Sequence, residues 1–361
     1  MDSGFHKRIA MTEELPPSTV PSTVQLSLMG FPSQEAADTF IPLMTEAILD
    51  CGRFLNLERL AGVTVGFDFK AALESVELGY ESKIATQYTN NGDVIAVAKA
   101  MNVLRDGKVM SHVVYNANLI CALADPDDEY HQDALHIIAH EFGHVAELKW
   151  RDEAMPGILL QKIEGDWVEA TMLQTGITAW EEYAACRMTG FIGDREALKK
   201  RYAEEFNRSA SHSLQRAQGK IKEFRNHGNV DQLLLEAGEP IAMPFKMAGY
   251  LLGHLDAIED TSDLEELCPE YAKTHLAKLI PKLRESLRTI WDEREHGKGV
   301  SIFEPLKDLI IAAYEEAGIE FVPQDAGGYY INVPFSAATL PNGEMDMMMI
   351  RLRQAAGLGS D

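Results

Sequence analysis

Apolar positions in "EAADTFIPLMTEAILDCGRFL" recur at helical spacing and predict a helix between about Gln34 and Leu60. The alternating stretch "GVTVGFDF" (62–69) then predicts a strand. Two more strands are expected in "GDVIAVAKAMNVL" (92–104) and "GKVMSHVVYNANLI" (107–120), the second rich in β-branched residues and led by Gly107. In "ADPDDEYHQDA", Asp125 suits an N-cap and Pro126 the first helical position, while Asp127 to Glu129 place negative charge at the positive end of the dipole. A helix is therefore predicted from Pro126 to about Trp150. "RDEAMPG" (151–157) reads as a loop and 158–175 as weakly helical, and "TGITAWEEYAACRMTGFI" (175–192) begins a further helix. Beyond Asp194 long helical patterns cover about 195–226, 229–257, 268–296 and 302–318, with breaks at His227-Gly228, Pro240 and Gly297. "AGGYYINVPFSAATLPNGE" predicts a short strand or hairpin. The Met-rich "MDMMMIRLRQ" predicts a terminal helix docked on the core, or else a partner-binding surface.

These patterns predict an α+β protein in three parts. Residues 1–25, with the repeat P-S-T-V, form a flexible leader; 26–194 form a mixed α/β lobe; 195–361 form a mainly helical C-terminal lobe. The 361 residues suffice for a sizeable core. A net charge of −23 repels phosphate backbones and anionic membrane surfaces, so neither nucleic acid nor membrane is expected as a partner. Cys51, Cys121, Cys186 and Cys268 are widely spaced without a C-x-x-C pair, which excludes a zinc ribbon and disfavours a disulfide framework. The first residues lack the apolar core of a secretory signal, and no stretch reaches the roughly 20 apolar residues of a membrane span. A cytoplasmic protein is the expectation.

Chemistry enters at "ALHIIAHEFGHVAELKW" (134–150), where His136, His140 and His144 recur every fourth residue. His140 and His144 with Glu141 between them fit H-E-x-x-H. On a helix, residues four apart are separated by about 6 Å of rise and about 40° of rotation, so both imidazoles can converge on one zinc ion. Glu141, turned by about 100° from His140, falls beside the position of an attacking water and is the candidate general base. His136 lies about 12 Å of rise from His144, too far to share that ion, and is read as a packing histidine or one that supports the ligands from behind. Burying two histidines and a glutamate on an Ile/Ala/Val-rich helix costs several kcal/mol unless partners or a metal compensate.

The longer pattern H-E-x-x-H-x-x-G-x-x-H is excluded, because Glu147 and Trp150 occupy its last two positions. The alternative third ligand is a glutamate from "TAWEEYAACR". Thr178 and Glu181 have capping-box spacing, which would occupy Glu181 and leave Glu182 to reach the metal. Ala184, Ala185 and Cys186 are small enough for this helix to pack closely against the first. "HEFGH" together with "EEYAACR" resembles the gluzincins, zinc metallopeptidases that use two histidines and a glutamate, and is similar to the compact minigluzincins and related membrane-free peptidases. The match covers about residues 107–190. It implies a zincin-like core, Zn²⁺ held by His140, His144 and Glu182, and a peptide or protein substrate. "VVYNANLI" also resembles the gluzincin edge strand, which implies that Asn116 and Ala117, 24 residues before His140, hold the substrate backbone as an added strand. Relatives often carry an aspartate four residues after the glutamate ligand, where this chain has Cys186.

Peptide hydrolysis also needs a donor to the developing oxyanion, which gluzincins commonly supply as a Tyr, His or Arg from the C-terminal lobe. Tyr250 and His254, four apart in "FKMAGYLLGHLDAIED", are the leading candidates, with His212 and His227 behind them. The reading that results is a zinc metallopeptidase. Its rivals are a zinc-stabilised scaffold without turnover and a zinc-dependent hydrolase of non-peptide amides.

Overall fold

The computed structural model describes residues 15–81, 97–160, 166–296, 299–325 and 327–357 of an α+β protein. It divides into two compact units: Met1–Lys162 with Ala184–Lys199 and Gly253–Asp260, and Ile163–Tyr183 with Lys200–Leu252 and Thr261–Asp361. The division expected near residue 194 is thus replaced by an interleaved one, because three long helices each contribute to both units.

The first unit is built on a sheet of β1 (Gln25–Met29), β2 (Leu60–Gly66), β3 (Ala98–Arg105) and β4 (Lys108–Asn116), in the order β1-β2-β4-β3. β1, β2 and β4 run parallel and β3 is antiparallel to β4. Helix α1 (Gln34–Phe54) makes the crossover from β1 to β2, started by the Ser33 side chain accepting from the Ala36 N–H. Short α2 (Phe69–Glu74) follows β2, and α3 (Ala117–Ile120) follows β4. Helix α4 (His131–Ala154) carries the H-E-x-x-H segment.

Alternation along the strands assigns the two faces. Val63, Val65, Val113 and Tyr115 pack with α1 and α4, on residues such as Met44, Ile48, Ile138 and Phe142. Val114, Met101 and Val103 face the other way, onto Phe69, Leu73 and Val76 in and after α2.

Three expectations change in this unit. β1 begins where a flexible leader was expected. Residues 15–24 before it are tied to the end of α1, where the Thr19 hydroxyl donates to the Gly52 and Leu55 carbonyls and accepts from the Leu57 N–H. α4 starts at His131 rather than Pro126. The Asp125 and Asp128 side chains accept from the N–H groups of Asp127 and Tyr130, so local turns compete with the first helical turn. The proposed strand at 92–104 is seen from Ala98; its first five residues lie outside the described ones.

In the second unit the helices are α5 (Trp167–Thr189), α6 (Arg195–His227) and α7 (Val230–Ala257), each extending at one end into the first unit, then α8 (Leu264–Leu267), α9 (Ile280–Glu293) and α10 (Glu304–Ala317). α7 continues through Pro240 and Pro244 without the expected break. The pattern at 268–296 resolves into single turns followed by α9. Trp180 and Phe303 are buried here, with ring centroids 6.1 Å apart. β5 (Glu320–Pro323) and β6 (Tyr329–Asn332) form the expected hairpin, with Gly327 and Gly328 at positive φ in its turn. The final helix α11 (Glu344–Ala355) has no buried residue, and Met345, Met348, Met349 and Leu352 are exposed, so it is not docked as expected.

Candidate metal centre

Helix α4 is held against the sheet by packing and by a polar contact from β4. Phe142 and Val145 are buried on the β4 side, and the fully buried Tyr115 donates its hydroxyl to the Ile138 carbonyl at 2.9 Å. Burial raises the Tyr115 phenol well above its ordinary range, with the Glu141 charge a lesser cause, so the group stays a neutral donor. Sequence reasoning missed Tyr115, because only strand pairing brings it under the helix.

With the apolar face fixed, the opposite side of α4 gathers three donor groups. One ligand atom from each of His140, Glu141 and His144 lies within 4.8 Å of the others. The Nε2 atoms of His140 and His144 are 3.2 Å apart and their rings are nearly perpendicular, at 89°. Two nitrogens at the usual distance from a tetrahedral zinc stand about 3.3 Å apart. The donor set and its spacing therefore fit a zinc ion held through both Nε2 atoms.

The other ring nitrogen of His140 meets Cys186. The Cys186 Sγ lies 3.6 Å from His140 Nδ1, and both residues are buried. This is the position where relatives often carry an aspartate, and an Nδ1–H donated to the sulfur would leave Nε2 as the lone-pair nitrogen. The close approach comes from Gly143, since a Cβ there would sit 2.9 Å from Ala185 Cα. The small residues after Glu182 thus do what their size predicted. Glu147, one turn further along α4, pairs with Arg151 at 3.2 Å. His136 places Nδ1 3.2 Å from the Ile192 carbonyl and stands outside the donor cluster, in keeping with a packing role.

The remaining site residues divide by unit. Glu182 belongs to the second, where it is buried with its carboxylate 3.4 Å from Lys246 Nζ. The capping box that favoured it over Glu181 is not formed. Thr178 sits in the middle of α5 and its hydroxyl donates to the Gln174 carbonyl. Tyr250 is also in the second unit, its ring 5.4 Å from that of Tyr202. His254 is in the first unit and fully buried, with Nε2 2.9 Å from the Arg195 carbonyl. Burial lowers its pKa, so it is a neutral packing group without the access an oxyanion donor needs.

The expected strand edge moves. β4 is paired on both sides, the Asn116 N–H donates to the Val97 carbonyl, the Asn116 side chain caps α3, and Ala117 is buried. Among the described residues β3 is the outermost strand beside β4. The alternation of ladder bonds set by the Asn116–Val97 contact turns the backbone groups of Ala98, Ala100, Asn102 and Leu104 outward. Leu104 N–H is taken by the Leu78 carbonyl and the Asn102 carbonyl by the Tyr80 hydroxyl. The outward groups of Ala98 and Ala100 have no partner among the described residues.

Compared with family models, with curated proteins and with solved structures, the chain matches none. No helix among the described residues is long and apolar enough to cross a membrane.

Proposed function

We propose that this protein is a zinc-dependent metallopeptidase. The observation that carries the reading is the pair of Nε2 atoms 3.2 Å apart with the Glu141 carboxylate beside them. His140 and His144 would hold the ion, with Glu182 as the third ligand the resemblance implies. Zinc bound there supplies a Lewis acid for the scissile carbonyl and lowers the pKa of a coordinated water. Glu141 takes the proton of the attacking water and returns it to the leaving amine. The Cys186 thiol keeps the His140 ring oriented through Nδ1. A substrate peptide laid along β3 would find the outward backbone groups of Ala98 and Ala100, a role first assigned to Asn116 and Ala117 on β4. Tyr250 remains the candidate oxyanion donor.

A second reading, a zinc-stabilised scaffold without turnover, draws on one observation: a thiol rather than a carboxylate faces His140 Nδ1, and a thiol raises ligand basicity less.

Metal analysis and peptide cleavage by wild type, Glu141→Gln and Glu182→Ala separate these readings. The expected result is about one zinc per chain in wild type and Glu141→Gln, less metal in Glu182→Ala, and cleavage by wild type alone. Cleavage surviving in Glu141→Gln would sink the mechanism. Full zinc in Glu182→Ala would remove the third ligand. Zinc-loaded wild type that cleaves no peptide in a random library would favour the scaffold.

A further inference from the structure

On the sheet face opposite α4, helix α2 covers only part of β2 and β4. Beside it lies a cavity of about 530 Å³, the size of a small-molecule site. Its polar lining comes from Gln25 and Ser27 on β1, Thr64 on β2, His112 on β4, Arg105 on β3, and Ser75 and Glu77 after α2.

The floor is a constructed arrangement. The His112 imidazole lies over Gly62, where a Cβ would come within 2.8 Å of the ring. Its Nε2 is 2.8 Å from Oγ1 of the buried Thr64. The absence of a side chain at Gly62 is what lets the ring lie across β2 and reach Thr64.

Arg105 stands at the wall with an unbalanced charge. Its guanidinium donates to two backbone carbonyls, Leu104 at 2.9 Å and Glu77 at 2.6 Å, which fix its orientation. Among the described residues no carboxylate lies within ion-pair distance of it, in a chain with 56 acidic and 33 basic side chains. Half-buried arginines ordinarily find an anion, and two of five guanidinium N–H groups are used here. The Ser27 hydroxyl adds a neutral donor to the same space, while that of Ser75 donates to the Ala72 carbonyl at 2.7 Å.

We propose that this cavity binds a small molecule through an oxyanion, carboxylate or phosphate, seated between Arg105 and His112. The site is independent of the metallopeptidase reading, since it lies on the other face of the sheet. Burial first, and then the Arg105 charge, push the His112 imidazole down to about 4. An anion between the two groups offsets the second cause, so binding is accompanied by proton uptake on His112 and tightens as pH falls. Glu77 is the only carboxylate lining the cavity among the described residues; it is exposed and works against the anion from the rim. The facing residues Ser27, Gly62 and Thr64 are uncharged.

The test is titration of the full chain with acetate and, separately, with inorganic sulfate, at constant ionic strength, following the His112 ring by NMR. Saturable binding with an upward shift of the His112 pKa by about one unit is expected, and an affinity higher at pH 5.5 than at 7.5. Saturation by acetate alone assigns a carboxylate ligand; saturation by sulfate alone assigns a phosphate. Ser27→Asp, at an exposed strand position, brings a like charge and weakens binding at least about tenfold, while Arg105→Gln abolishes it. Failure of both anions to saturate, or unchanged affinity in Ser27→Asp, overturns the proposal.

Discussion

Cys186 meets Nδ1 of His140 at 3.6 Å, and under the proposed function it would do for that ring what a carboxylate or a carbonyl does for most metal-binding histidines. A thiol accepts a weak hydrogen bond, enough to select the tautomer and hold the ring. Cys186→Ala removes that acceptor from a buried position without adding bulk. Zinc affinity, measured by competition with a chelating dye, is expected to fall about tenfold, with the thermal midpoint of the metal-free chain little changed. Tyr115→Phe acts on the same helix from the sheet side. Losing the bond to the Ile138 carbonyl should cost about 0.5–1.5 kcal/mol in urea unfolding while zinc stoichiometry is kept. At this scale the sequence was informative where the geometry is local. Helical rise alone separates His136 from the pair His140 and His144. Contacts made through the fold left no local trace: the sulfur facing His140 and the burial of His254 depend on which helices meet.

Gly143 lets α4 approach the end of α5 closely. Alanine there gains about 1 kcal/mol of intrinsic helix propensity, but its Cβ would lie 2.9 Å from Ala185 Cα, a backbone atom that cannot step aside. Overpacking costs typically about 1–3 kcal/mol, so Gly143→Ala is expected to destabilise the chain in urea unfolding and to weaken zinc binding by moving His140 away from Cys186. A more stable Gly143→Ala protein would contradict the close packing of these helices. The same distinction between local and distant causes explains which elements could be read in advance. β2, β4, α6 and α10 follow from periodicity and turn residues, and the H-E-x-x-H segment declares its helix. β1 was hidden behind a Pro/Ser/Thr-rich approach that Thr19 ties to the end of α1 and whose Val20 and Val24 pack on the core. α5 begins at Trp167, upstream of the Thr178 that looked like a cap. Pro240 read as a helix break, yet α7 continues through it and through Pro244. Strand order was beyond reach too. Nothing in "VVYNANLI" indicates that β3 would pair outside it, leaving Asn116 at the end of an interior strand and Ala117 in α3.

Across the whole molecule, buried histidines and the acidic surface act in different pH ranges. His112 is pushed down to about 4, and His254 and His275 are also lowered, in each case chiefly by burial. Each imidazole therefore holds a proton less readily in the folded chain than in the unfolded one, where the pKa is about 6.5. As pH falls below that value the unfolded chain takes up protons the folded chain does not, and stability declines. For His112 the decline runs from about 6.5 down to about 4 and then stops. The net charge of −23 acts lower on the scale, because carboxylates lose charge near pH 4 and their mutual repulsion is relieved only there. Between pH 7.5 and 5.5 the histidines dominate. With metal removed by a chelator and ionic strength held constant, the urea midpoint is expected to be lower at pH 5.5 than at 7.5, and the drop smaller in His112→Gln. A midpoint that rises over this interval would mean that relief of surface repulsion already outweighs the buried imidazoles.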